Sequence, residues 1–385
     1  MADVIIIGGG AIGASIALFC KQKEPSLRVT VIEPDPFSDL ASSATSGSGG
    51  SRRLFFCPEN IAMSNFSIEY MQSLDASAES PFAGVDWHSR GYLFIVPPKG
   101  IELLESNLEI QHSMGVEASL FTPEQIQERF PMMRVDDLGA GVFSPRDGWF
   151  NAQKYWALMV QKARDAGVEF VQDAVVGFDE GERLVTAAKL RSGRSLRADF
   201  FVNAAGPWAQ QISQMIGMPL PINPMVRYEH NFTTEFFQPN MPYVKDLQGL
   251  AIRSTNSGYS GGLVDTKTPR GFAQALDVNW FDRIVRPAVN WRFPGMGELQ
   301  LTKSWSGLYE QCDLDGNPII GPWTGKRDNF IVAAGFSGHG LMHAPATGLA
   351  VAEWIVDGRY QTIDLTRFGH SRVERNEPYK ERGII

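Results

Sequence analysis

The chain opens with a run of apolar residues that ends in a cluster of glycines. Val4 to Ile7 are aliphatic, Gly8, Gly10 and Gly13 follow in G-x-G-x-x-G spacing, and apolar residues dominate from Ala14 to Lys21. The first run predicts a buried parallel strand, and the last predicts a helix. A strand, a glycine turn and a helix in this order form a binding site for the pyrophosphate of a dinucleotide.

A second aliphatic segment, Arg28 to Ile32, predicts a neighbouring strand that ends at Glu33, 20 residues after Gly13. A carboxylate at this spacing binds a ribose hydroxyl and disfavours a 2′-phosphate. The pattern therefore predicts an FAD-type or NAD-type cofactor. The predicted contacts are Gly8, Gly10, Ala11, Ile12, Gly13 and Glu33.

The chain after Glu33 lacks the regular strand-helix repeat that an NAD enzyme would continue with. A serine- and glycine-rich segment, Ser38 to Phe55, precedes a predicted helix from Glu59 to Leu74. Two further aliphatic strands, in Asp199 to Ala209 and Asn329 to Gly358, end in small residues. Strands from the start, middle and end of the chain converging on one ligand predict a discontinuous cofactor domain and favour FAD.

The composition excludes several classes of function. The 385 residues suffice for two domains, and 43% hydrophobic with 20% charged residues is typical of a globular protein. The net charge of −8 argues against nucleic-acid binding. Cys20, Cys57 and Cys312 have no metal-ligand spacing. With neither a signal-peptide nor a membrane-span pattern, the sequence predicts a cytoplasmic protein without metal.

Four motifs together identify a family resemblance. The glycine motif is followed by VNAAGPW (Val202 to Trp208), SWSGLY (Ser304 to Tyr309) and AAGFSGHG (Ala333 to Gly340). In this order they resemble the D-amino-acid-oxidase-like flavoproteins, which include glycine oxidase, monomeric sarcosine oxidase and the dimethylglycine and sarcosine dehydrogenases. The segment Gly358 to Phe368 most resembles bacterial relatives of the mitochondrial FAD-dependent oxidoreductase-domain protein linked to complex I assembly.

The resemblance implies an α/β fold: a glutathione-reductase-like FAD-binding Rossmann domain with an inserted α+β substrate domain built on an antiparallel sheet. We assign residues 1–81, 144–221 and 306–385 to the FAD-binding domain, and residues 82–143 and 222–305 to the substrate domain. Alternating patterns in Arg90 to Pro97 and Gly249 to Val264 predict strands of that sheet. Tryptophan and proline in residues 288–298 indicate an ordered loop.

The resemblance also implies FAD contacts outside the glycine motif. These are Ser46, Ser51, Arg52, Val175, Ala205, Gly206, Trp208, Gly307, Gly338, His339, Gly340 and Leu341. Gly307 stands where sarcosine oxidase attaches its flavin to a cysteine, which predicts a non-covalent flavin, although Cys312 lies five residues further on.

The family reaction removes a hydride from the carbon beside an amine to flavin N5, and water hydrolyses the resulting imine. Negative charge then develops at the N1–C2=O side of the flavin, where the helix start at Phe336 to Leu341 can place N–H donors. Arg52 matches the arginine that lies against the flavin in sarcosine oxidase. His339 is either a structural hydrogen-bonding group or a proton acceptor.

Two carboxylate-binding arrangements of the family are absent. Glycine oxidase has an arginine directly after its Gly-Leu pair, whereas here Tyr309 follows Gly307 and Leu308. Sarcosine oxidase uses a second arginine and a lysine, and the corresponding positions here are Phe55 and Met342. The remaining candidates for substrate contact are Arg227, His230 and Arg253, with Tyr228 and Tyr259 shaping the pocket.

Ser260 stands near the position of the lysine with which sarcosine oxidase activates oxygen. The electron acceptor is therefore either oxygen or another redox carrier. The predicted substrate is an amine or amino acid. Two alternatives stay open: a non-catalytic assembly factor stabilised by FAD, and an NAD-dependent dehydrogenase that uses the glycine motif alone. The sequence also leaves open whether the protein is a monomer, an oligomer or a subunit of a heteromer.

Overall fold

The structure is a computed structural model that describes residues 2–35, 47–78, 83–263, 268–272 and 276–382. Its β-strands are β1 Asp3–Ile7, β2 Arg28–Ile32, β3 Gly50–Ser51, β4 Tyr92–Val96, β5 Ser119–Phe121, β6 Ala140–Ser144, β7 Gly148–Trp149, β8 Glu169–Val171, β9 Val175–Glu180, β10 Val185–Leu190, β11 Ser195–Arg197, β12 Phe200–Asn203, β13 Ile222–Thr234, β14 Tyr243–Asp246, β15 Leu250–Ser254, β16 Tyr259–Leu263, β17 Leu299–Cys312, β18 Ile319–Trp323 and β19 Arg327–Ala334.

The α-helices are α1 Ala11–Lys23, α2 Pro58–Ala76, α3 Ile101–Ser113, α4 Pro123–Arg129, α5 Ala152–Asp165, α6 Ala209–Gln214, α7 Arg286–Arg292, α8 Gly340–Asp357 and α9 Ser371–Glu374. Short 3₁₀ turns cover Pro98–Gly100, Gly206–Trp208, Pro294–Met296 and Thr366–Phe368, and one π-helical turn covers Phe281–Val285. No helix in the described ranges is long and apolar enough to cross a bilayer.

A six-stranded sheet has the strand order β18-β19-β12-β1-β2-β8. All neighbours are parallel except β18 and β19, which run antiparallel. The central strands are apolar on both faces because helices or a smaller sheet cover each side: Ile6 packs in one hydrophobic cluster and Ile5 in another. The carboxyl ends of β1, β12 and β19 consequently meet at one edge of the sheet.

Helices α1 and α8 cross closely over this sheet. A Cβ at Gly348 of α8 would lie 2.8 Å from the Phe19 ring and 2.9 Å from the Ser15 backbone of α1. The glycine therefore sets how near the two helices approach. Their proximity brings both helix N-termini to the same edge of the sheet, where the three parallel strands end.

The second large sheet has eight strands in the order β17-β13-β16-β15-β14-β4-β6-β5. Its pairs are antiparallel except β14 with β4. One face is apolar, and its residues Leu93, Val244, Ile252 and Phe232 pack against the π-helical turn and α7. The opposite face carries polar and aromatic side chains along a small cavity and, at β4 and β6, apolar residues that pack with Leu104 of α3.

The fold class predicted from the sequence is confirmed: a parallel, helix-covered sheet is combined with a large, mostly antiparallel one. Local details differ. Helix α1 begins at Ala11, directly after the glycine turn, and α2 extends to Pro58 and Ala76. The ordered loop expected at residues 288–298 is wrong in part, because α7 continues to Arg292, whose guanidinium is anchored by Asp137.

The division into two domains stays a prediction. The strands before residue 82 and those from β18 onward do not belong to the eight-stranded sheet, whereas β4, β5 and β13 to β16 do. The proposed boundary between residues 305 and 306 falls inside β17, which pairs with β13 as far as Cys312. Strand β6 likewise crosses the boundary between residues 143 and 144.

A buried ion pair anchors the last described segment. Arg372 Nε donates to Asp315 Oδ2 over 2.8 Å, and the guanidinium also donates to the carbonyl oxygens of Asn317 and Pro318. The Asp315 side chain is fully buried. Removing one partner of such a pair leaves the other charge uncompensated in the interior, which is strongly destabilising.

We expect Arg372→Met to lower the free energy of unfolding by about 3–5 kcal/mol. The matched control is Arg375→Met, whose pair with Glu377 is exposed on both sides, and whose loss should change stability by less than about 1 kcal/mol. Urea denaturation followed by circular dichroism measures both values. Equal losses in the two variants would contradict the role given to the buried pair.

Candidate cofactor and substrate site

An elongated cavity of about 510 Å³ lies at the edge where β1, β12 and β19 end. Its lining combines the glycine turn, the segments after β2 and β12, the start of β9 and the start of α8. The predicted contacts among its lining residues are Gly8, Gly10, Ala11, Ile12, Glu33, Val175, Ala205, Gly206, Trp208, Gly338, Gly340 and Leu341. Segments far apart in the chain thus form one site.

The glycine turn is as close to its neighbours as backbone atoms allow. Gly8 has φ +104°, and a Cβ there would overlap the Ala204 carbonyl oxygen. A Cβ at Gly13 would overlap the carbonyl oxygen of Gly8. Helix α1 begins directly after Gly10 without a side-chain cap, so its first N–H groups face the cavity and can bind phosphate oxygens.

Glu33 is held in the position expected for a ribose contact. The Gly9 N–H donates to its Oε2 over 2.8 Å, and the Asp35 N–H donates to its Oε1 over 3.2 Å. These hydrogen bonds fix the carboxylate at the mouth of the cavity, next to the glycine turn. Further acceptor positions on its oxygens are available to hydroxyl donors.

The turn before α8 forms the opposite wall. Ser337 and Gly338 have φ of +51° and +100°, and a Cβ at Gly338 would overlap the Tyr309 ring. Glu310 stabilises this turn because its Oε2 accepts the Gly335 N–H over 3.0 Å. Burial raises the pKa of Glu310 to about 7. The first N–H groups of α8 remain open toward the cavity, since no side chain caps the helix.

A smaller cavity of about 80 Å³ adjoins the first and shares Leu308, Tyr309 and Gly338 with it. One wall is the polar face of the eight-stranded sheet, and the opposite wall includes Arg52 and Met342. The sheet contributes Tyr92, Arg227, Glu229, Tyr243, Lys245, Ala251, Gly262, Trp305 and Gly307.

Strand register determines which sheet residues reach this cavity. Lys245 of β14 is paired with Phe94 of β4 and with Ala251 of β15, so these positions share one face. Ala251 is paired with Gly262 of β16 in turn. On the other side, Arg227 of β13 is paired with Gly307 of β17. Small residues between the charged ones leave room for a ligand.

Three cationic side chains meet at one end of the cavity. Arg52 is 3% exposed, lies over the Phe55 ring at 4.4 Å, and its Nε and Nη2 have no hydrogen-bond partner among the described residues. The guanidinium of Arg227 lies 5.0 Å from the Tyr309 ring centre. Burial, and then the charges of Arg52 and Arg227, hold the pKa of Lys245 well below its ordinary value.

A carboxylate lies in the same cavity. Glu229 Oε1 accepts a hydrogen bond from the Ser260 hydroxyl over 2.6 Å. Burial raises the pKa of Glu229, while the Ser260 hydrogen bond and the charge of Arg253 oppose that shift. The cavity therefore combines cationic side chains with one carboxylate, and its lining includes the rings of Tyr92 and Tyr243, which stack at a centroid distance of 4.5 Å.

Other predicted residues lie elsewhere. His339 does not line either cavity; its ring faces Phe55 and His343 at centroid distances of 5.6 and 5.3 Å. Burial, with the charges of nearby groups, holds the pKa of His339 well below its ordinary value. Both ring nitrogens are buried without a hydrogen-bond partner among the described residues, so neither the structural hydrogen bond nor the proton acceptor is seen, and the role of His339 stays a prediction.

The predicted pocket role of Tyr259 is not supported by its placement. The residue next to it, Ser260, faces the cavity, so Tyr259 faces the apolar side, where it packs on Phe232 and its hydroxyl accepts the Gln238 N–H. The Tyr228 ring similarly packs on Trp280, although the residue contributes to the cavity lining.

Arg253 and His230 also lie outside the smaller cavity. Arg253 donates to the Ser48 carbonyl and lies over Trp149 in a third, more open cavity. His230 shares a hydrogen bond with the Ser304 hydroxyl and lies against Phe281. Ser46 lies outside the described residues. Ser51 is buried, and its hydroxyl has no hydrogen-bond partner within the described ranges.

Sequence reasoning missed Lys245, Glu229, Tyr243 and Glu310. The available signal was weak: Lys245 is a lone cation in the otherwise regular strand pattern YVKD, and Glu229 alternates with Tyr228 and His230 along β13. Neither pattern reveals which face of the sheet meets the cofactor cavity, because strand order and register are not written locally in the sequence.

A family model described as "FAD dependent oxidoreductase" matches residues 3–354. The chain belongs to this FAD-dependent oxidoreductase family. FAD is the cofactor of the family, so the alternative of an NAD-dependent dehydrogenase built on the glycine motif alone is wrong. The predicted resemblance to the sarcosine and dimethylglycine dehydrogenase group is confirmed.

The chain is 30% identical to FAD-dependent oxidoreductase domain-containing protein 1 of Xenopus laevis, with 100% of this chain and 85% of that protein covered. It is 26% identical to human mitochondrial dimethylglycine dehydrogenase, of which it spans 47%. The structure superposes on L-proline dehydrogenase of P. horikoshii with a TM-score of 0.86, at 26% identity and coverage of 98% and 99%. Glycine oxidase of Geobacillus kaustophilus shares the fold, with a TM-score of 0.81 at 20% identity and coverage of 96% and 98%.

The residues present fit FAD. Two uncapped helix N-termini and the glycine turn provide N–H donors for its phosphates, and Glu33 provides ribose acceptors. Arg52 and Ser51 carry buried polar atoms that lack partners within the described ranges. The larger cavity extends from Glu33 to Tyr309, where the smaller cavity begins. The residues at this junction would hold the flavin ring.

We expect Gly13→Ala to lower the affinity for FAD by more than about tenfold, because the added Cβ overlaps the Gly8 carbonyl and displaces the turn. Gly181→Ala is the matched control, since its nearest atom would be 3.6 Å away. Fluorescence titration of apoprotein with FAD measures both affinities. Unchanged binding by the Gly13 variant would contradict the geometry given to the turn.

Proposed function

We propose that the protein is an FAD-dependent oxidoreductase that oxidises the C–N bond of an amino acid or secondary amine. The observation that supports this most directly is the smaller cavity, where the buried Arg52 and the half-buried Arg227 and Lys245 line one space beside the junction proposed for the flavin ring. Cations of this kind complement a carboxylate, and guanidinium groups do so with paired N–H donors.

The names of relatives point the same way. Dimethylglycine dehydrogenase, sarcosine dehydrogenase and L-proline dehydrogenase are named for substrates that carry a carboxylate and a secondary or tertiary amine. The chain lacks the carboxylate-binding side chains of glycine oxidase and sarcosine oxidase at the corresponding positions. In this proposal, Lys245 from β14 and Arg227 from β13 replace them. A different set of strands thus supplies the same chemistry.

The protein's own groups have distinct tasks in this proposal. The bound flavin supplies the acceptor for a hydride from the carbon beside the amine. Lys245 and Arg227 hold the carboxylate, and Arg52 adds positive charge beside the reacting centre. Cations near the amine favour its neutral form, which is the form required for oxidation. The open N–H groups at the start of α8 stabilise negative charge on the neighbouring ring.

The decisive experiment is an anaerobic absorbance titration of the FAD-loaded protein with N-methyl amino acids, L-proline, D-amino acids and glycine. Bleaching of the flavin band is expected with one class of compound. Recovery on admission of air identifies an oxidase, and recovery only with an added redox dye identifies a dehydrogenase. If the flavin stays oxidised with every compound, the result contradicts the proposal and favours a non-catalytic role for FAD.

The lowered pKa of Lys245 predicts a pH dependence of carboxylate binding. Burial, and then the charges of Arg52 and Arg227, lower the pKa of the free lysine, whereas a bound carboxylate favours its charged form and raises its pKa. Binding then takes up a proton, so the dissociation constant of a carboxylate rises up to about tenfold per pH unit between the two pKa values. At a pH below the pKa of Lys245 in the unliganded protein, the dissociation constant no longer depends on the titration of this lysine.

Pivalate, which has no amine, is the suitable probe, and the perturbed spectrum of the bound flavin reports its dissociation constant. Lys245→Met should weaken binding at low pH and flatten the profile. Ionisation of Glu229 also disfavours a carboxylate as pH rises, but this contribution persists in the variant, so the difference between the profiles isolates the lysine. Lys189→Met, on the surface, is the control; identical profiles in Lys245→Met and wild type would refute the assignment.

A further inference from the structure

Glu229 is the carboxylate in a cavity whose other charged lining residues are Arg52, Arg227 and Lys245. Its side chain is half-buried on β13 and accepts a hydrogen bond from Ser260 through Oε1. A buried carboxylate costs free energy unless its acceptor positions are used, and one hydroxyl donor does not use them all. The remaining oxygen positions are available to a donor that arrives with a ligand.

Arg227 and Glu229 stand two residues apart on the same face of β13. Their pairing partners on β17, Gly307 and Trp305, lie on that face as well. Residues at this spacing have Cα atoms about 7 Å apart. One strand therefore presents a cation and an anion on neighbouring positions. A ligand with a carboxylate and an amine on one carbon can contact both side chains at once.

Lys245 and Glu229 have different charged neighbours. The cationic neighbours that lower the pKa of Lys245 are Arg52 and Arg227, whereas the cation that acts on Glu229 is Arg253. Tyr309 is paired with Met225, so it lies beyond Arg227 along the strand, on the side away from Glu229. A ligand whose only charge is negative would be attracted by Arg227 and Lys245, but it would be repelled by Glu229 once that group is ionised.

We infer that Glu229 is the residue that recognises the amine of the substrate, by accepting an N–H hydrogen bond from it while Arg227 and Lys245 hold the carboxylate. This assignment rests on the proposed function and restricts it: the substrate class is α-amino or N-alkyl-α-amino acids with at least one N–H. Simple carboxylic acids of the same shape offer no donor to Glu229 and bind more weakly.

A pair of ligands that differ only at the amine tests this assignment. 2-Aminoisobutyrate has no hydrogen on its α-carbon and cannot be oxidised there, and pivalate has a methyl group in place of the amine. Both are titrated into the FAD-loaded protein, and the spectrum of the oxidised flavin reports each dissociation constant. Because neither ligand reacts, the result is independent of whether the flavin is reduced by amino acids.

We expect wild type to bind 2-aminoisobutyrate at least about tenfold more tightly than pivalate, because a hydrogen bond to a charged group contributes a difference in affinity of this size. Glu229→Gln should reduce the ratio of the two dissociation constants to near unity, because the variant binds 2-aminoisobutyrate more weakly and pivalate more tightly than wild type does. Ser260→Ala, which keeps the carboxylate, should retain the preference. Glu235→Gln makes the same chemical change at an exposed position beyond the end of β13 and should leave both constants unchanged.

An unchanged ratio of the two constants in Glu229→Gln would overturn the assignment. So would a wild-type protein that binds pivalate as tightly as 2-aminoisobutyrate, a result that does not depend on how any variant folds. A wild type that shows the preference but is not reduced by any amino acid would contradict the proposed oxidation and leave amine recognition by Glu229 supported. The two proposals therefore fail on different measurements.

Discussion

The two-residue period of the eight-stranded sheet is the constraint on which the substrate site depends. Lys245 reaches the cavity, and its neighbour Val244 packs in the apolar cluster on the other face. Ser260 faces the cavity side and Tyr259 the apolar side in the same way. Because one face must be buried against α7 and the π-helical turn, the register cannot slip by one residue without exchanging the two sets. The stability of the apolar face thereby fixes the chemistry of the polar one.

The cofactor cavity depends on a different constraint, the close approach of backbone segments. Gly8, Gly13 and Gly338 stand where a Cβ would collide with a carbonyl group or with the Tyr309 ring. Their absence of side chains lets main-chain N–H groups of α1 and α8 face a ligand directly. The six-stranded sheet and the contact between the two helices hold these segments in place, so binding capacity is built into the core and does not require mobile side chains.

These two constraints explain how much the sequence could predict. The glycine turn, Glu33 and the small residues after β12 and β19 are local signals, and 12 of the predicted cofactor contacts line the cavity that these segments form. Lys245 and Glu229 were missed because their role depends on β14 and β13 being brought to one face by strands distant in sequence. Tyr259 was placed toward the pocket for the same reason: a period of two identifies two faces and does not say which of them is the core.

The charges of the smaller cavity connect the binding of a substrate to its orientation. Burial, and then repulsion by Arg52 and Arg227, lower the pKa of Lys245 and favour the neutral form of the lysine. A bound carboxylate opposes that repulsion and favours the charged form of the lysine. Glu229 on the neighbouring position then distinguishes the two ends of the ligand, because the end that suits Arg227 is repelled by a carboxylate. With the proposed roles of these residues, an amino acid has one favourable orientation, with its carboxylate at Arg227 and Lys245 and its amine at Glu229. The pocket selects by sign of charge, which a small cavity can do more sharply than by shape alone.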